Sequence, residues 1–317
     1  MMTQAEREAA HERVRRELGL DRIGTAPDAA PLPPRPSGTP VRPASALPIE
    51  AEIRGAQLYE YGEIWGRPGL DLRTRSFITV AVLTAMGQAD QLYRQVNCAL
   101  NLAITPEEIH EALLQVGVYA GLSAWESAVA VAGEVFVVRG ILPGSAAGAD
   151  GTGGSGGNGD SGTGVSVEPK PPMDHEDRRA ARNRVVAALG VGRLGLGPQA
   201  APLVPLPGPL TAIEQGRMAI EYDLAMVNAD YGYGEVWGRP GLDLRTRSFI
   251  TVTVLQVMHE NDQLHIHLNN ALNLGITADE INEALGQAGV YGGGSGWHNA
   301  VNVARHVFGQ RGFYPQD

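Results

Sequence analysis

Glu63-Ile64-Trp65-Gly66-Arg67-Pro68-Gly69-Leu70-Asp71-Leu72-Arg73-Thr74-Arg75-Ser76-Phe77-Ile78-Thr79-Val80 is repeated from Glu235 to Val252 with one change, Ile64 to Val236. The register of 172 residues continues without a gap to Gly140 and Gly312, and roughly 50 of the 78 aligned positions are identical. So long a period is that of a whole domain, not a solenoid unit. A weaker echo lies upstream: Val14-Arg15-Arg16-Glu17-Leu18-Gly19 resembles Val185-Val186-Ala187-Ala188-Leu189-Gly190, and proline-rich chain follows each.

Each repeat reads as helices only. Asp71 and Asp243 can cap helices through Arg73–Met86 and Arg245–Met258, whose apolar residues occupy nearly every side, as in a core helix. Asp90 and Asp262 are placed to start the next helices, to about Leu102 and Leu274. Thr105-Pro106-Glu107-Glu108 combines a cap, a first-turn proline and an acid at the third position. Thr277-Ala278-Asp279-Glu280 repeats that signal with alanine in place of proline. Ser123 and Ser295 open a last helix with apolar residues at Ala124, Ala128, Val131 and Val135, echoed by Gly296, Ala300, Val303 and Val307. Strand-like alternation is not sustained anywhere, so the fold class is all-α: two tandem helical domains packed as a pseudo-dimer.

The chain has 317 residues, a prior of about two domains. The expected boundaries are 1–140, a linker at 141–172 and 173–317. The linker is dominated by Gly, Ser, Asp and Thr and reads as a tether with an r.m.s. span of about 30 Å. Residues 28–48 and 198–210, rich in proline and alanine, read as arms lying on a surface. A net charge of -10 argues against nucleic acid as a partner. No apolar run suits a membrane span, and the N-terminus carries acids instead of a secretory signal. A single cysteine, Cys98, allows neither a disulfide nor a CxxC pair. The expectation is a soluble, cytoplasmic protein acting on a small molecule.

The motif Glu63 to Ser76 and its copy, the Ala99-Leu100-Asn101-Leu102 and Ala271-Leu272-Asn273-Leu274 segments, and Glu111-Ala112-Leu113 to Tyr119 with its copy resemble the carboxymuconolactone decarboxylase family. The resemblance covers roughly 60–140 and 230–312. It implies the AhpD-like helical fold, sites between packed helices, and assembly as trimers or hexamers. Three two-domain chains would imitate a hexamer. One branch of the family reduces peroxide with a CxxC pair. Here the matching stretches read Tyr119-Ala120-Gly121-Leu122-Ser123 and Tyr291-Gly292-Gly293-Gly294-Ser295, so that activity is not expected. The decarboxylase branch carries a histidine on the helix before the Ala-Leu-Asn segment. His267 holds that position in the second copy and Gln95 in the first, which puts a working site in the first copy in question.

The residues themselves add an asymmetry. His259, His265, His267, His298 and His306 fall in the second copy's aligned region, against His110 alone in the first. One half then does the chemistry and the other completes its walls; surface drift is the plainer alternative. His265 and His267 point in nearly opposite directions on a helix, and no two-histidine spacing suits a metal. No cofactor is expected.

His267 is the candidate for proton transfer, since imidazole titrates near neutrality. Asn270 lies one turn along the same face, placed to bond the ring or a substrate oxygen; Asn273 follows at the next turn. Arg247 and Arg75 sit in apolar helices and need partners, which the repeat offers as Glu235 and Glu63. That pairing reads first as structural. The sharper reading makes Glu235 a proton relay while Arg239 or Arg247 holds a substrate carboxylate or enolate. Trp237 and Trp65 read as packing anchors, with Trp237 a wall of the substrate pocket. Tyr291 and Tyr119 can offer hydroxyls, and His298, beside Trp297, is a further substrate-binding candidate. Together with the resemblance these residues suggest a cofactor-free lyase or isomerase working through an enolate, on a lactone acid or a polycyclic ketone of secondary metabolism. The alternative is a non-catalytic ligand-binding or scaffold protein.

Overall fold

The computed structural model describes residues 2–38, 50–143, 173–206 and 226–313. Among these residues every extended element is helical, with two isolated bridges, Arg22 to Pro31 and Arg193 to Pro202. The first copy comprises α1 (Gln4–Leu18), α2 (Glu50–Gln57) running on as a π-helical segment (Leu58–Ile64), α3 (Leu72–Ala85), α4 (Ala89–Asn101), α5 (Pro106–Ala120) and α6 (Leu122–Val138). The second repeats the order with α7 (His175–Leu189), a second π segment (Asp230–Val236), α8 (Leu244–Val257), α9 (Asn261–Asn273), α10 (Ala278–Gly292) and α11 (Gly294–Gln310).

The caps explain most boundaries. Asp71 and Asp243 accept the backbone N–H of Thr74 and Thr246 at 2.7 and 2.8 Å. Thr105 and Thr277 each form a full capping box with Glu108 and Glu280. Two expected starts move. α4 and α9 begin just ahead of Asp90 and Asp262, which lie in the first turn, where a negative charge faces the helix dipole. α6 and α11 begin ahead of Ser123 and Ser295, because Gly121 and Gly293 at φ 90° and 86° already turn the chain.

α3 and α8 are buried on every side from Arg75 to Thr84 and from Arg247 to Gln256. They cross at the centre and feed both cores. Ile250 and Val254 of α8 pack with Phe77, Leu92 and Leu113 of the first copy. Ile78 and Val82 of α3 pack with Phe249, Leu268 and Leu285 of the second. The copies are therefore interlocked, as a pseudo-dimer requires.

The described part of the first arm lies on the surface, with Arg35 bound to Asp90 and Glu134 at 3.1 Å each. The second is fixed where Val204 and the Gln310 side chain exchange two hydrogen bonds. Of the 141–172 linker, residues 144–172 lie outside the described residues, as does the remainder of both arms. No helix among the described residues is long and apolar enough to cross a membrane.

Candidate active site between the two copies

His267 on α9 is 1% exposed. Its ring lies nearly parallel to those of Trp237 (centroids 5.8 Å, interplanar angle 19°) and Tyr233 (6.4 Å, 20°), which neighbour each other at 6.1 Å. Tyr119 of the first copy meets it edge-on at 5.3 Å. The Tyr119 hydroxyl lies 3.3 Å from His267 Nε2. Trp237 Nε1, which can only donate, gives its N–H to the Tyr119 oxygen at 2.9 Å. Elsewhere in the core, Thr251 accepts from Gln115 Nε2 at 3.1 Å. Gln115 Oε1 in turn accepts from Arg247 at 3.1 Å. The Tyr119 oxygen thus receives a hydrogen from Trp237, and His267 Nε2 is the acceptor within reach of its own hydrogen. That assignment places the neutral ring's hydrogen on Nδ1.

Nδ1 has no hydrogen-bond partner, nor has either polar atom of the Asn270 amide, although both residues are buried. Orphaned buried polar groups are uncommon and costly, and these lie one helical turn apart. The bond expected between Asn270 and the ring is absent. Burial pushes His267 down to about 3, so the free ring is neutral at ordinary pH. Burial raises Tyr119 well above the usual phenol range, keeping its proton available for donation.

The arginines correct the expected pairing. Arg247 is 0% exposed and bonds Glu111 of the first copy at 2.8 Å, along with Gln115 and the carbonyls of Leu242 and Arg239; Glu235 is not its partner. Arg239 reaches the other oxygen of Glu111 at 2.7 Å. The same pattern is inverted in the other half, where Arg75 and Arg67 clasp Glu283 and not Glu63. Glu235 instead takes Arg178 of α7 at 2.7 Å, and Glu63 takes Arg7 of α1 at 2.8 Å. The reason lies in the Arg-Pro-Gly turn. A Cβ on Gly69 or Gly241 would sit 2.5 or 2.6 Å from the Cγ of Glu283 or Glu111, so only glycine lets the opposite copy's glutamate come in beneath the arginines. Arg247 is thus fully buried among its partners, while Arg239 meets Glu111 through Nε and stays partly exposed. Arg247 also holds Gln115, whose amide donates to Thr251.

Other candidates are placed elsewhere. Asn273 donates to the carbonyls of Leu189, Gly190 and Arg193 and ties α9 to the chain after α7. His298 is exposed at the start of α11, its ring 4.8 Å from that of Trp297. Tyr291 lies not at His267 but at the mirror position in the first copy, where Trp65 Nε1 donates to its hydroxyl at 2.9 Å. His265 faces His306 at 5.4 Å, on the side away from His267, as the helical spacing requires. No group of three or more metal-binding side chains occurs among the described residues. Cys98 is buried and its thiol pushed up to about 12 by desolvation, an inert state. A groove of about 280 Å³ between α3, α4 and α6, lined by Leu83, Met86, Leu92 and Ser127, holds no titratable side chain.

Sequence reading missed Tyr119 as the partner of His267, and missed Glu111 and Gln115. Their only signal was that the Glu-Ala-Leu-x-Gln-x-Gly-Val-Tyr run occurs in both copies.

The profile of the carboxymuconolactone decarboxylase family matches residues 54–134 and 223–306. Over 85 residues the chain is 42% identical to a 4-carboxymuconolactone decarboxylase of Acinetobacter baylyi, covering 27% of this chain and 63% of that protein. Over 64 residues it is 39% identical to a nitrosuccinic acid decarboxylase of Metarhizium robertsii, covering 20% of this chain and 45% of the relative. An uncharacterised 15.0 kDa protein of Paracoccus denitrificans is 33% identical over 78 residues, 24% of this chain and 58% of its own length. The chain thus spans less than two thirds of each of these relatives. With both repeats matched, the Trp-Gly-Arg-Pro-Gly turns and crossed glutamates accounted for, and an all-helical architecture, the chain belongs to the carboxymuconolactone decarboxylase family.

Proposed function

We propose that the chain is a decarboxylase of small oxygenated carboxylic acids, working through an enolate at His267. The observation that carries this reading is the buried, uncharged imidazole held by the other copy's tyrosine, with its Nδ1–H and the Asn270 amide left unpartnered. A substrate that loses CO2 next to a carbonyl or lactone keeps the bonding electrons as an enolate and needs no external electron sink. Asn270 Nδ2 and the ring N–H are donors for the developing oxyanion. A bound carboxylate opposes the burial that keeps the ring neutral, so the ring takes up a proton with the substrate and delivers it to carbon. The C–CO2 bond breaks, its electron pair stays on the substrate, carbon gains the proton, and solvent recharges the site. Both named relatives are decarboxylases, which supports the class. The same enolate handling would serve ring opening, rearrangement or cyclisation of a polycyclic ketone in a tailoring pathway. Cytoplasmic location and a trimer of chains accompany the reading and are checked by fractionation and light scattering.

The test is CO2 release from 4-carboxymuconolactone and from nitrosuccinate, with wild type and His267→Gln. The substitution restores the residue of the first copy and is expected to lower turnover at this site about 10²- to 10⁴-fold, the usual contribution of a positioned acid or base. An undiminished rate in the variant removes the role of His267.

A further inference from the structure

The second hydroxyl bridge is where the copies part company. In the first copy the space opposite Trp65 holds Gln95 where the second has His267, Cys98 where it has Asn270, and Glu60 where it has Gly232. Trp65 Nε1 gives its N–H to Tyr291 at 2.9 Å, and the Tyr291 hydroxyl donates to Glu60 Oε1 at 2.7 Å. In both halves, then, a tryptophan fixes the oxygen of a tyrosine from the opposite copy, and that tyrosine's hydrogen is directed at one ionisable group. The group is an imidazole on α9 in one half and a carboxyl on the π segment in the other. The π register makes the placement: Trp65 N–H bonds the Glu60 carbonyl at 2.9 Å, five residues back, and holds both side chains at one end of the segment. In the second half a Cβ on Gly232 would already stand 3.3 Å from Val118 Cγ1, so the carboxyl has no counterpart there.

We infer that the amino-terminal copy holds a second acid/base site built on Glu60, Tyr291 and Arg94, which takes a small carboxylate. The inference rests on the decarboxylating reading above for its reaction, though not for its ligand. Gln95 Oε1 is buried without a partner on the same face of α4 as Cys98, which packs with Tyr61 and Trp65. Arg94 is exposed and within electrostatic reach of Glu60 and Tyr61, a position taken by Ile266 in the second copy. The other groups around Glu60 do not compete for the role. On α1, His11 faces the Tyr61 ring at 6.3 Å and Arg7 is bound to Glu63. α2 carries exposed Glu52 and Arg54, and Cys98 on α4 keeps its proton. Burial raises Glu60 against the opposing bonds from Tyr291 and Tyr61 and the charge of Arg94. Glu60 thus holds its proton more readily than a surface carboxyl. Tyr291 donates to one oxygen, which leaves the other to carry a proton when Glu60 is in its acid form. Arg94 binds a substrate carboxylate; the C–CO2 bond breaks, its electron pair remains as an enolate, Glu60 gives its proton to carbon and is reprotonated by solvent.

The experiment has two arms on the full chain. In the first, succinate is titrated calorimetrically into wild type, Glu60→Gln and Arg94→Ala between about pH 5 and 8, where a raised carboxyl and its neighbours change charge. Wild type is expected to bind more weakly as pH rises, with proton uptake. Glu60→Gln, which mimics the protonated acid, should bind with that dependence flattened, and Arg94→Ala should bind about tenfold more weakly. No saturable binding at millimolar succinate, or an unchanged pH dependence in Glu60→Gln, overturns the inference. In the second arm, His267→Gln should retain part of the CO2 release from 4-carboxymuconolactone, and adding Glu60→Gln should abolish that remainder. A total loss in His267→Gln alone, with wild type active, overturns the second site. Inactive wild type with the succinate behaviour intact instead overturns the reaction and leaves the Glu60 site as a binding site. Thermal melting of each variant shows that the fold is retained, and Glu60→Asp should restore part of the pH dependence.

Discussion

At the scale of single residues, the hydrogen that sits between Tyr119 and His267 decides the state of the site. Trp237 can only donate, so the tyrosine oxygen accepts and its hydrogen points at Nε2. Nitrogen-resolved NMR of labelled histidine is expected to show His267 neutral, with its hydrogen on Nδ1. A ring found protonated at neutral pH overturns the assignment. The same burial predicts a slope in stability. His267 falls from an ordinary 6.5 to about 3, and His265 to about 4, both chiefly through desolvation. Below 6.5 the unfolded chain takes up protons that the folded one refuses, so this contribution is complete above 6.5 and is lost as pH falls toward 3. Melting temperatures should drop across that window, and less steeply in His267→Gln. This acid sensitivity was half legible in the sequence: the extra histidines of one copy were visible, but their burial depends on aromatic rings from three separate elements.

At the scale of elements, α5 and α10 do what the sequence had assigned to the turn before α3 and α8. A guanidinium in an apolar helix announced that it needed a carboxylate. The nearest in sequence was Glu235, and the true one, Glu111, comes from the other copy. Helix periods and caps are local, so α3, α5 and their repeats could be read directly; a partner arriving across a pseudo-twofold leaves no trace in spacing. Breaking a buried ion pair by removing one member costs about 3–5 kcal/mol. Glu111→Gln is therefore expected to lower the unfolding free energy by about 3 kcal/mol or more in denaturant titrations. Replacing Arg247 by Met at the same time should recover part of the loss. If Glu111→Gln unfolds like wild type, the crossed clasp is not structural. The π segments were read only as the motif's leading edge, since nothing in a seven-residue stretch distinguishes five-residue from four-residue bonding.

At the scale of the whole molecule, the repeat foretold two domains of one kind, and the all-helical reading followed from it. How deeply the halves interlock was not legible. α3 and α8 each supply both cores, and each hydroxyl bridge draws its tyrosine from the opposite half. Residues 1–143 and 173–317 expressed apart should therefore each fail to give a cooperative melt, whereas the two produced together should reassemble into one. Two independently cooperative halves would contradict the interlocked core. The crossing of the tyrosines has an evolutionary corollary. In an ordinary homodimer one gene writes both cavities, so any change at one appears at once at the other. Joining the twins in a single polypeptide ends that enforced identity while guaranteeing every molecule a mate of the opposite type, which leaves a lineage free to teach each chamber its own acid.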